Sequence, residues 1–456
     1  MPQIKPIPTI RFARSFDSKP ADISALIAPP YDVLDEERKR AMLGRDGHNI
    51  VAIDLPFTPP KVVGPDAVYQ RAGETYRAWL KTGVLRQTDR PALFVYQQSY
   101  THRGRKYDRR GVIADVRVQD LGKSPSGQGG IWPHEQTFAS GKEDRLNLMR
   151  ATQAQLSPIF GIYRDPRKNV ARLMTSAMEA GPATFGGITS DDDVMHSVWE
   201  VTDPAMIARF VEPLAAADIY IADGHHRYHT ALNYRNQLAQ GGDLAADHPA
   251  NFCMFVLIAM EDPGMIVLPT HRVLGGMAGF SFDAFRDAAK GLLNITPFDG
   301  PDLAALEKAL PHAGPHAIGL YIPKPNDAKP GQRLGTAPGS SLYIASTPTD
   351  DPLATTHAQH SLAWRKLDVA IVQHLLVERI CQPRFAGGNE IKWKFPHALE
   401  QVEKDARSEG FQLGVIVQPT PLQSVMDVSD AGELMPQKST FFYPKLATGL
   451  AINPLA

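Results

Sequence analysis

The sequence lacks most of the features that mark secreted, membrane-spanning and nucleic-acid-binding proteins. It has only two cysteines in 456 residues, Cys253 and Cys381, both in apolar stretches, which favours reduced core thiols over a disulfide framework. No run approaches the roughly 18 consecutive apolar residues that a membrane-spanning helix needs, and the first residues lack the apolar segment of a signal peptide. Lysine plus arginine (48) balances aspartate plus glutamate (49), whereas nucleic-acid binders usually carry a basic excess. These absences predict a cytoplasmic protein with neither a membrane nor nucleic acid as partner, and they leave the oligomeric state open.

Length and patterning predict the fold class. A chain of 456 residues is too long for one compact core. Strand-like and helical segments alternate but hairpins intrude, which predicts an α/β (mixed α+β) fold with a mixed sheet. We expect a catalytic core at residues 1–275, a smaller α/β subdomain at 276–434, and a C-terminal strand at 435–456 that folds back on the core. The Pro/Gly-rich segment 324–341 is typical of a surface loop.

The stretch 218–232 is predicted to form a strand, a tight turn and a helix. A short apolar run ends at Ala222, and a helical pattern begins at Tyr228. The first amides of a helix lack intrahelical partners and the helix dipole favours an anion there. Five residues that can carry a charge or a proton lie at this turn: Asp223, His225, His226, Arg227 and His229.

Each residue type at the turn suits an anionic ligand. Gly224 lets the backbone pass close to a ligand, and the amides of His225 and His226 could point at a phosphate. Arg227 can grip an anion through two parallel hydrogen bonds, and the histidines could carry a proton near neutral pH. The alternative is that Asp223 is a helix N-cap and that the histidines are solvated.

A zinc site is a competing interpretation of the same turn. His225 and His229 stand four residues apart and share a helix face, as zinc ligands do. The glutamate of an HExxH motif is missing, because His226 occupies its place, and no cysteine pair is available. No zinc is expected, and the identity of any metal ligand stays open.

A second polar cluster follows residue 132. His134 and Glu135 come directly after a proline, so Glu135 could be a general base for a substrate hydroxyl or a ligand for Mg²⁺. Lys142 and Arg145 could cover phosphate charge. The alternative is a helix-capping arrangement with exposed charges.

Three further segments could add residues to an anion site. Two prolines stiffen the segment that carries Tyr31 and Asp32. A C-terminal strand that folds back could bring in Lys438, Tyr443 and Lys445. The residues are Tyr31 and Asp32; Thr270, His271 and Arg272; and Lys438, Tyr443 and Lys445.

These segments together resemble the bacterial and archaeal family known as domain of unknown function 1015. The matches run in family order over nearly the whole chain. One departure is His229, where the family usually has glutamate, and it makes a zinc pair less credible. The matching segments are Ala28–Val33, Pro133–Glu135 with Thr137, Lys142–Leu146, Ile221–Tyr228, Leu268–Arg272, Met435–Thr440 and Tyr443–Lys445.

The Asp-Gly-His-His-Arg stretch also looks like the nucleotide-binding turn of the ParB/sulfiredoxin-like fold. Members of that superfamily include ADP- or ATP-dependent kinases of free serine, and others bind CTP or DNA or reduce sulfinic acid. This resemblance covers only the central stretch. It implies a nucleotide-binding core with phosphate at the helix N-terminus of Gly224–Arg227. It also implies an acidic base from elsewhere in the chain, for which Glu135 is the candidate.

We therefore predict a nucleotide- or phosphate-binding enzyme. The expected reaction is phosphotransfer (kinase or phosphatase) on a small hydroxyl compound such as serine or a hydroxy acid, with ADP or ATP and Mg²⁺. The alternatives are a nucleotide-controlled regulatory or DNA-partition-like protein without turnover, and a metal-dependent hydrolase. The predicted catalytic residues are Glu135, Asp223, His225 and His226. The predicted nucleotide-binding residues are Gly224, His225, His226, Arg227, Thr270, His271 and Arg272. The predicted substrate-binding residues are Tyr31, Asp32, His134, Lys142, Arg145, Lys438, Tyr443 and Lys445.

Overall fold

The structure is a computed structural model. It describes residues 3–17, 19–124, 129–137, 139–242, 244–323 and 341–455. Most of the segment expected to be a surface loop, residues 324–340, lies outside the described residues. Two compact units are present: the first is Met1–Ile266 with Pro444–Ala456, and the second is Val267–Tyr443. The domain limits expected at residues 275 and 434 stay a prediction.

The helices are distributed over both units. Short 3₁₀ helices cover Ala13–Phe16, Tyr31–Val33, Pro249–Asn251 and Leu310–His312, and a π-helical segment, Val372–Cys381, joins α11 to α12. The α-helices are α1 (Glu36–Arg45), α2 (Val51–Asp54), α3 (Asp66–Thr82), α4 (Ala139–Thr152), α5 (Asn169–Glu179), α6 (Pro204–Ala215), α7 (His225–Gln240), α8 (Phe282–Ala288), α9 (Leu303–Ala309), α10 (Leu362–Arg365), α11 (Asp368–Ile371), α12 (Gln382–Phe385), α13 (Leu399–Ala406) and α14 (Leu422–Asp430).

The strands range from two to thirteen residues. They are β1 (Ile4–Lys5), β2 (Ile10–Phe12), β3 (Ala21–Asp22), β4 (Leu85–Gln87), β5 (Leu93–His102), β6 (Arg105–Arg117), β7 (Ile131–Trp132), β8 (Ala154–Gln155), β9 (Ile159–Tyr163), β10 (Phe185–Thr189), β11 (Val194–Val201), β12 (Ile219–Asp223), β13 (Phe252–Ala259), β14 (Ile266–Leu268), β15 (Arg272–Gly275), β16 (Asn294–Pro297), β17 (Ile318–Ile322), β18 (Ser341–Ser346), β19 (Lys392–Lys394), β20 (Phe411–Ile416), β21 (Phe441–Tyr443) and β22 (Asn453–Pro454).

A ten-stranded mixed sheet forms the centre of the first unit. Its strand order is β3-β10-β11-β5-β6-β13-β9-β12-β7, and β1 pairs with β6 outside this path. The long β5–β6 hairpin is antiparallel, whereas β13 runs parallel to β9 and β12 runs parallel to β7. The second unit has a six-stranded sheet in the order β16-β18-β17-β20-β15-β19. Strands of both directions and packed helices confirm the predicted mixed α/β class.

Strand β12 and helix α7 form the predicted strand, turn and helix. Ile219 and Ile221 are buried in the core of the first unit, and β12 pairs with β9 on one side and with β7 on the other. Helix α7 places Tyr228, Ala231 and Tyr234 in the same core, at the i, i+3, i+6 spacing of one helix face. The turn between them is therefore held by packing on both sides.

The last residues of the chain belong to the first unit. Thr448 pairs with Ala28, and Ile452 pairs with Ile10. The short strand β22 pairs antiparallel with β8. This C-terminal segment, residues 444–455, therefore adds backbone to the core that carries the turn.

None of the helices in the described part of the chain combines the length and the apolar composition that crossing a membrane requires.

Candidate functional site

Two parallel neighbours in the sheet bring the two polar clusters together. Strand β7 pairs with β12 in the register Ile219↔Ile131 and Tyr220↔Trp132. Both strands therefore end at the same edge of the sheet, where α/β folds bind ligands. The backbone N–H of His134 donates to Nε2 of His225 at 3.2 Å, and the two rings are 4.7 Å apart. The sheet thus joins clusters that are about ninety residues apart in sequence.

Gly224 makes the turn between strand and helix. It has a φ of +99°, and it is the N-cap of α7 without any side-chain capping bond. Its carbonyl accepts the N–H of Tyr228 at 2.9 Å, and the left-handed conformation is one that glycine adopts readily. The interpretation of Asp223 as the helix cap is wrong, because Asp223 is the last residue of β12. Its carboxylate is directed to cations instead.

The carboxylate of Asp223 holds two cations. Its Oδ2 lies 3.4 Å from Nζ of Lys445 and 3.5 Å from Nη2 of Arg227. Burial alone would raise the pKa of Asp223, but Lys445, Arg227 and Lys61 outweigh it and hold the pKa below its ordinary value. Asp223 is therefore ionised at neutral pH and orients two cations beside the start of α7.

A second ion pair stands next to the first. Nζ of Lys61 lies 3.0 Å from Oδ2 of Asp32. Burial would raise the pKa of Asp32, yet Lys61 and other cations lower it overall, while the nearby charge of Asp223 acts in the opposite direction. The Oδ1 atom of Asp32 is buried without a hydrogen-bond partner among the described residues. Asp32 thus presents one oxygen that could accept a bond from a ligand.

Lys61 is a site residue that sequence reasoning missed. It lies in the connection between α2 and α3 and has a left-handed φ of +66°. Burial lowers its pKa, but Asp32, Asp223 and Glu135 together raise it. A single lysine in a Pro- and Val-containing loop gives no periodic or spacing signal, so only the three-dimensional contacts identify it.

The charges of Glu135 and Asp223 act on the same two side chains, Lys61 and His134. Both carboxylates raise the pKa of Lys61. Both also act on His134, whose pKa is lowered by burial despite them. Glu135 is partly exposed. Glu135 and Asp223 are therefore both near Lys61 and His134, and the role of Glu135 as a base stays a prediction.

His134 and His225 connect the turn to the neighbouring loop. Nδ1 of His134 lies 2.7 Å from the carbonyl of Ile221, and since a carbonyl only accepts, Nδ1 carries the proton. Nε2 of His225 accepts the His134 amide, and burial holds the pKa of His225 well below its ordinary value. His225 is neutral and its Nε2 is engaged by backbone. This geometry gives His225 a positioning role, and its catalytic role stays a prediction.

His226 lies against helix α4. A Cβ atom added at Gly141 would come within 2.9 Å of Cδ2 of His226, so the close contact depends on glycine. Burial, followed by the charge of Lys61, lowers the pKa of His226 to about 4. Lys142 also acts on His226 and on His229. His226 is consequently a neutral hydrogen-bonding group with cations on two sides.

Arg145 holds other residues in place. Its guanidinium lies 2.7 Å from Oδ2 of Asp144 and donates to the carbonyl of Asp54 at 2.7 Å. It also stacks over the ring of Tyr31 at 3.8 Å from the centroid. The side chain is 6% exposed. Arg145 thereby fixes Tyr31, the neighbour of Asp32, and direct ligand contact by Arg145 or Tyr31 stays a prediction.

The same network reaches the loop of Lys61. Asp144 accepts a hydrogen bond from the hydroxyl of Tyr69 at 2.8 Å, and that hydroxyl accepts the N–H of Gly64 at 2.8 Å. Because Gly64 is three residues after Lys61, these bonds limit the positions that the loop can adopt.

Five predicted site residues belong to the second unit: Thr270, His271, Arg272, Lys438 and Tyr443. Thr270, His271 and Arg272 are buried. They lie at the junction between β14 and β15. The Arg272 guanidinium donates to the carbonyls of Thr270 and Lys438. Ligand binding by these five residues stays a prediction.

Over residues 3–323 and 341–455, apart from the short gaps given above, no three or more His, Cys, Asp or Glu side chains are grouped so that they could hold a metal ion.

Solved structures with some similarity to the chain share little sequence with it. A substituted form of free serine kinase in complex with AMP has 10% identity and a TM-score of 0.32, covering 68% of this chain and 83% of that one. A conserved hypothetical protein from Pyrococcus furiosus has 12% identity and a TM-score of 0.30, covering 69% and 88%. C-terminally truncated SbnI from Staphylococcus aureus has 10% identity and a TM-score of 0.32, covering 74% and 85%.

Among curated proteins the comparison found no match. A family model described as a protein of unknown function, DUF1015, matches residues 4–370. The chain therefore belongs to the DUF1015 family.

Proposed function

We propose that this site binds a nucleotide and transfers a phosphoryl group to or from a small hydroxyl compound. The observation that carries the proposal is the Asp223 carboxylate, which holds Lys445 at 3.4 Å and Arg227 at 3.5 Å beside the first turn of α7. Phosphoryl transfer depends mainly on positioning and on neutralising charge. A helix N-terminus with oriented cations supplies both.

The residues divide into two roles. Arg227 and Lys445 neutralise phosphate charge, and neutral His226 donates a hydrogen bond to it. Glu135 takes the proton from the acceptor hydroxyl, as a general base within reach of that hydroxyl would. Asp223 orients the cations. In the phosphatase variant of the reaction, water replaces the acceptor.

Mg²⁺ fits the carboxylates of the site. Proteins usually hold Mg²⁺ through one or two carboxylates together with substrate phosphates. The partnerless buried Oδ1 of Asp32 and the carboxylate of Asp223 would hold it. The ion would neutralise charge on phosphate oxygens.

The choice of ligands to test follows from phosphate chemistry. ADP and ATP are the proposed donors, and free serine kinase has been solved with ADP and with AMP. Serine and small hydroxy acids are the proposed acceptors. A cytoplasmic location, where these compounds are abundant, is part of the proposal.

The first experiment measures nucleotide binding. ADP, ATP and CTP are titrated into the full chain by calorimetry with Mg²⁺ present, and Arg227→Ala is expected to weaken binding at least tenfold, about 1.4 kcal/mol. Arg235→Ala is the matched control, because Arg235 is on the same helix and its guanidinium donates to the side-chain oxygens of Asn251 and Asn236. A wild-type protein that binds none of the three nucleotides would remove the basis of the proposal.

The second experiment measures turnover. Phosphorus NMR follows ADP or ATP with serine or a hydroxy acid, and separately with water alone. New phosphate ester identifies a kinase, and inorganic phosphate without ester identifies a hydrolase. Tight binding without either product would instead support the nucleotide-controlled regulatory protein.

A further inference from the structure

One face of the β5–β6 hairpin carries polar residues that are completely buried. Gln98 pairs with Arg109, and Tyr96 pairs with Gly111 two positions away, so the side chains of Tyr96, Gln98 and Arg109 lie on one face of the sheet. Each of the three is 1% exposed. Buried polar groups at this density need a specific partner.

Each of the three side chains has a hydrogen bond to the backbone of the C-terminal segment, and the Tyr96 hydroxyl also lies 2.7 Å from Nδ1 of His196. The side-chain amide of Gln98 donates to the carbonyl of Lys445 at 2.8 Å. The guanidinium of Arg109 donates to the carbonyl of Pro444, and the N–H of Ala447 donates to the hydroxyl of Tyr96 at 3.4 Å. Three side chains thus form hydrogen bonds with the backbone of three residues, Pro444, Lys445 and Ala447.

Arg109 is the least expected member of this group. Its guanidinium donates to the Gln98 side chain and to the Pro444 carbonyl, and it lies 4.8 Å from the Phe160 ring centroid. Burial lowers its pKa to about 10, so it remains charged at neutral pH. Burying a charged group is unfavourable unless hydrogen bonds compensate for the lost water. One of the hydrogen bonds of Arg109 goes to the Pro444 carbonyl, so this buried group also holds the C-terminal segment.

We propose that Tyr96, Gln98 and Arg109 are positioning residues that deliver Lys445 to the site. They fix the backbone at residues 444–447, and the Lys445 side chain then reaches Asp223 at 3.4 Å. A loosely held terminal segment would lose conformational freedom when Lys445 met a phosphate, which would weaken binding. The catalytic meaning of this placement rests on the proposed function.

The test variant is Gln98→Glu. It replaces the amide that donates to the Lys445 carbonyl with an oxygen that repels that carbonyl, while the other side-chain oxygen can still accept from Arg109. Tyr100→Phe is the matched control. Tyr100 is on the same face of β5, but its hydroxyl donates to the carbonyl of Gly264 at 2.8 Å.

Two readouts separate positioning from general stability. In the first, ADP affinity is measured for Gln98→Glu, Lys445→Met and the double variant. Gln98→Glu is expected to weaken binding about tenfold, and adding Lys445→Met to it should weaken binding by less than about twofold more, because the two residues act through one contact.

In the second readout, acetylation of the Lys445 amine is followed by mass spectrometry with exposed Lys404 as internal reference. Acetylation of Lys445 should be about tenfold faster in Gln98→Glu, since ion pairing and 16% exposure protect the wild-type amine.

Unchanged acetylation of Lys445 in Gln98→Glu would overturn the positioning role. So would an equal change in Tyr100→Phe. Wild-type protein that fails to bind ADP would end the proposed function, and the acetylation experiment would still decide the positioning role. Arg109→Met is a supporting variant with the same expected acceleration. If it does not fold, Gln98→Glu decides alone.

Discussion

Two short polar stretches look alike in sequence and differ in structure. Residues 223–227 begin at the last residue of β12 in the first unit, and residues 270–272 lead into β15 in the second. In the first stretch, Asp223 and Arg227 pair with each other and stay partly exposed. In the second, Thr270, His271 and Arg272 are at most 3% exposed.

The partners differ as much as the burial. Asp223 contacts charged side chains, whose positions a ligand can change, and Arg227 also donates to the backbone carbonyl of Pro158. Arg272 donates to backbone carbonyls, and Nδ1 of His271 accepts the N–H of Val417 at 3.2 Å. Backbone partners fix a fold, whereas mutually paired side chains can exchange one partner for an anionic ligand. A polar residue beside a strand is therefore a better candidate for ligand binding when its partners include charged side chains near solvent, as for Asp223.

Glu135→Gln should show the largest effect on activity. It should also separate turnover most clearly from nucleotide binding and from stability. Loss of a general base is expected to lower turnover by about 10³-fold, while ADP affinity and the free energy of unfolding stay nearly unchanged because Glu135 is partly exposed. Initial rates of phosphoryl transfer measure the effect. Glu143→Gln is the control, because Glu143 is an exposed residue of α4. Equal activity of Glu135→Gln and wild type would place the base elsewhere.

Arg272→Met tests whether the buried stretch 270–272 stabilises the fold or binds a ligand. Removal of the guanidinium leaves buried carbonyls without donors, which should lower the free energy of unfolding by about 3 kcal/mol. Urea unfolding followed by tryptophan fluorescence measures this loss. Arg286→Met is the control, since Arg286 is 57% exposed. ADP affinity of the folded variant then decides between roles: retained affinity supports a structural role, and lost affinity supports the ligand role predicted from the sequence.

The central turn could be predicted because its signals are local. An apolar run, Gly224 and a helical pattern specify strand, turn and helix within about fifteen residues. The link between Glu135 and Asp223 is not local, because it depends on β7 and β12 being parallel neighbours. Short strands such as β7, with two residues, give no period that a sequence pattern can reveal.

Residues that complete the site through tertiary contacts were beyond sequence reasoning. Lys61 reaches Asp32 from a loop without periodicity. Arg145 was expected at a phosphate, and nothing in the sequence shows that Asp144 and Asp54 surround it. A charged residue has the same appearance in sequence whether a ligand or a buried carboxylate neutralises it.

The pH dependence of stability should reveal the environment of His226. Its pKa in the folded protein is about 4, below the ordinary value of about 6.5. As pH falls from about 6.5 to 4, the unfolded chain takes up a proton that the folded chain resists, so stability falls over that window. Because His226 is partly exposed, screening limits the loss to about 2 kcal/mol.

His226→Gln should remove this part of the acid destabilisation. Urea midpoints measured between pH 7 and 4 for the variant and wild type give the difference, and His48→Gln, at a side chain that is 51% exposed, is the control. Parallel curves for His226→Gln and wild type would contradict the buried environment of the ring.

Gly141→Ala should give the smallest effect on ADP affinity. It tests whether the position of the His226 ring at the turn matters for binding. The new methyl carbon would lie 2.9 Å from Cδ2 and 3.2 Å from Nε2 of His226, so the ring must shift by a few tenths of an ångström. We expect ADP affinity to fall about threefold, because hydrogen bonds at a site depend on such displacements. Stability should hardly change, since alanine favours a helix over glycine by about 1 kcal/mol and offsets the crowding.

Gly44→Ala in α1 is the control, because no atom lies within 4 Å of the added carbon. It should stabilise the protein without changing ADP affinity. Equal affinities in Gly141→Ala and Gly44→Ala would show that the position of the His226 ring does not matter for binding, and the turn would then act through Arg227 and the helix N-terminus alone.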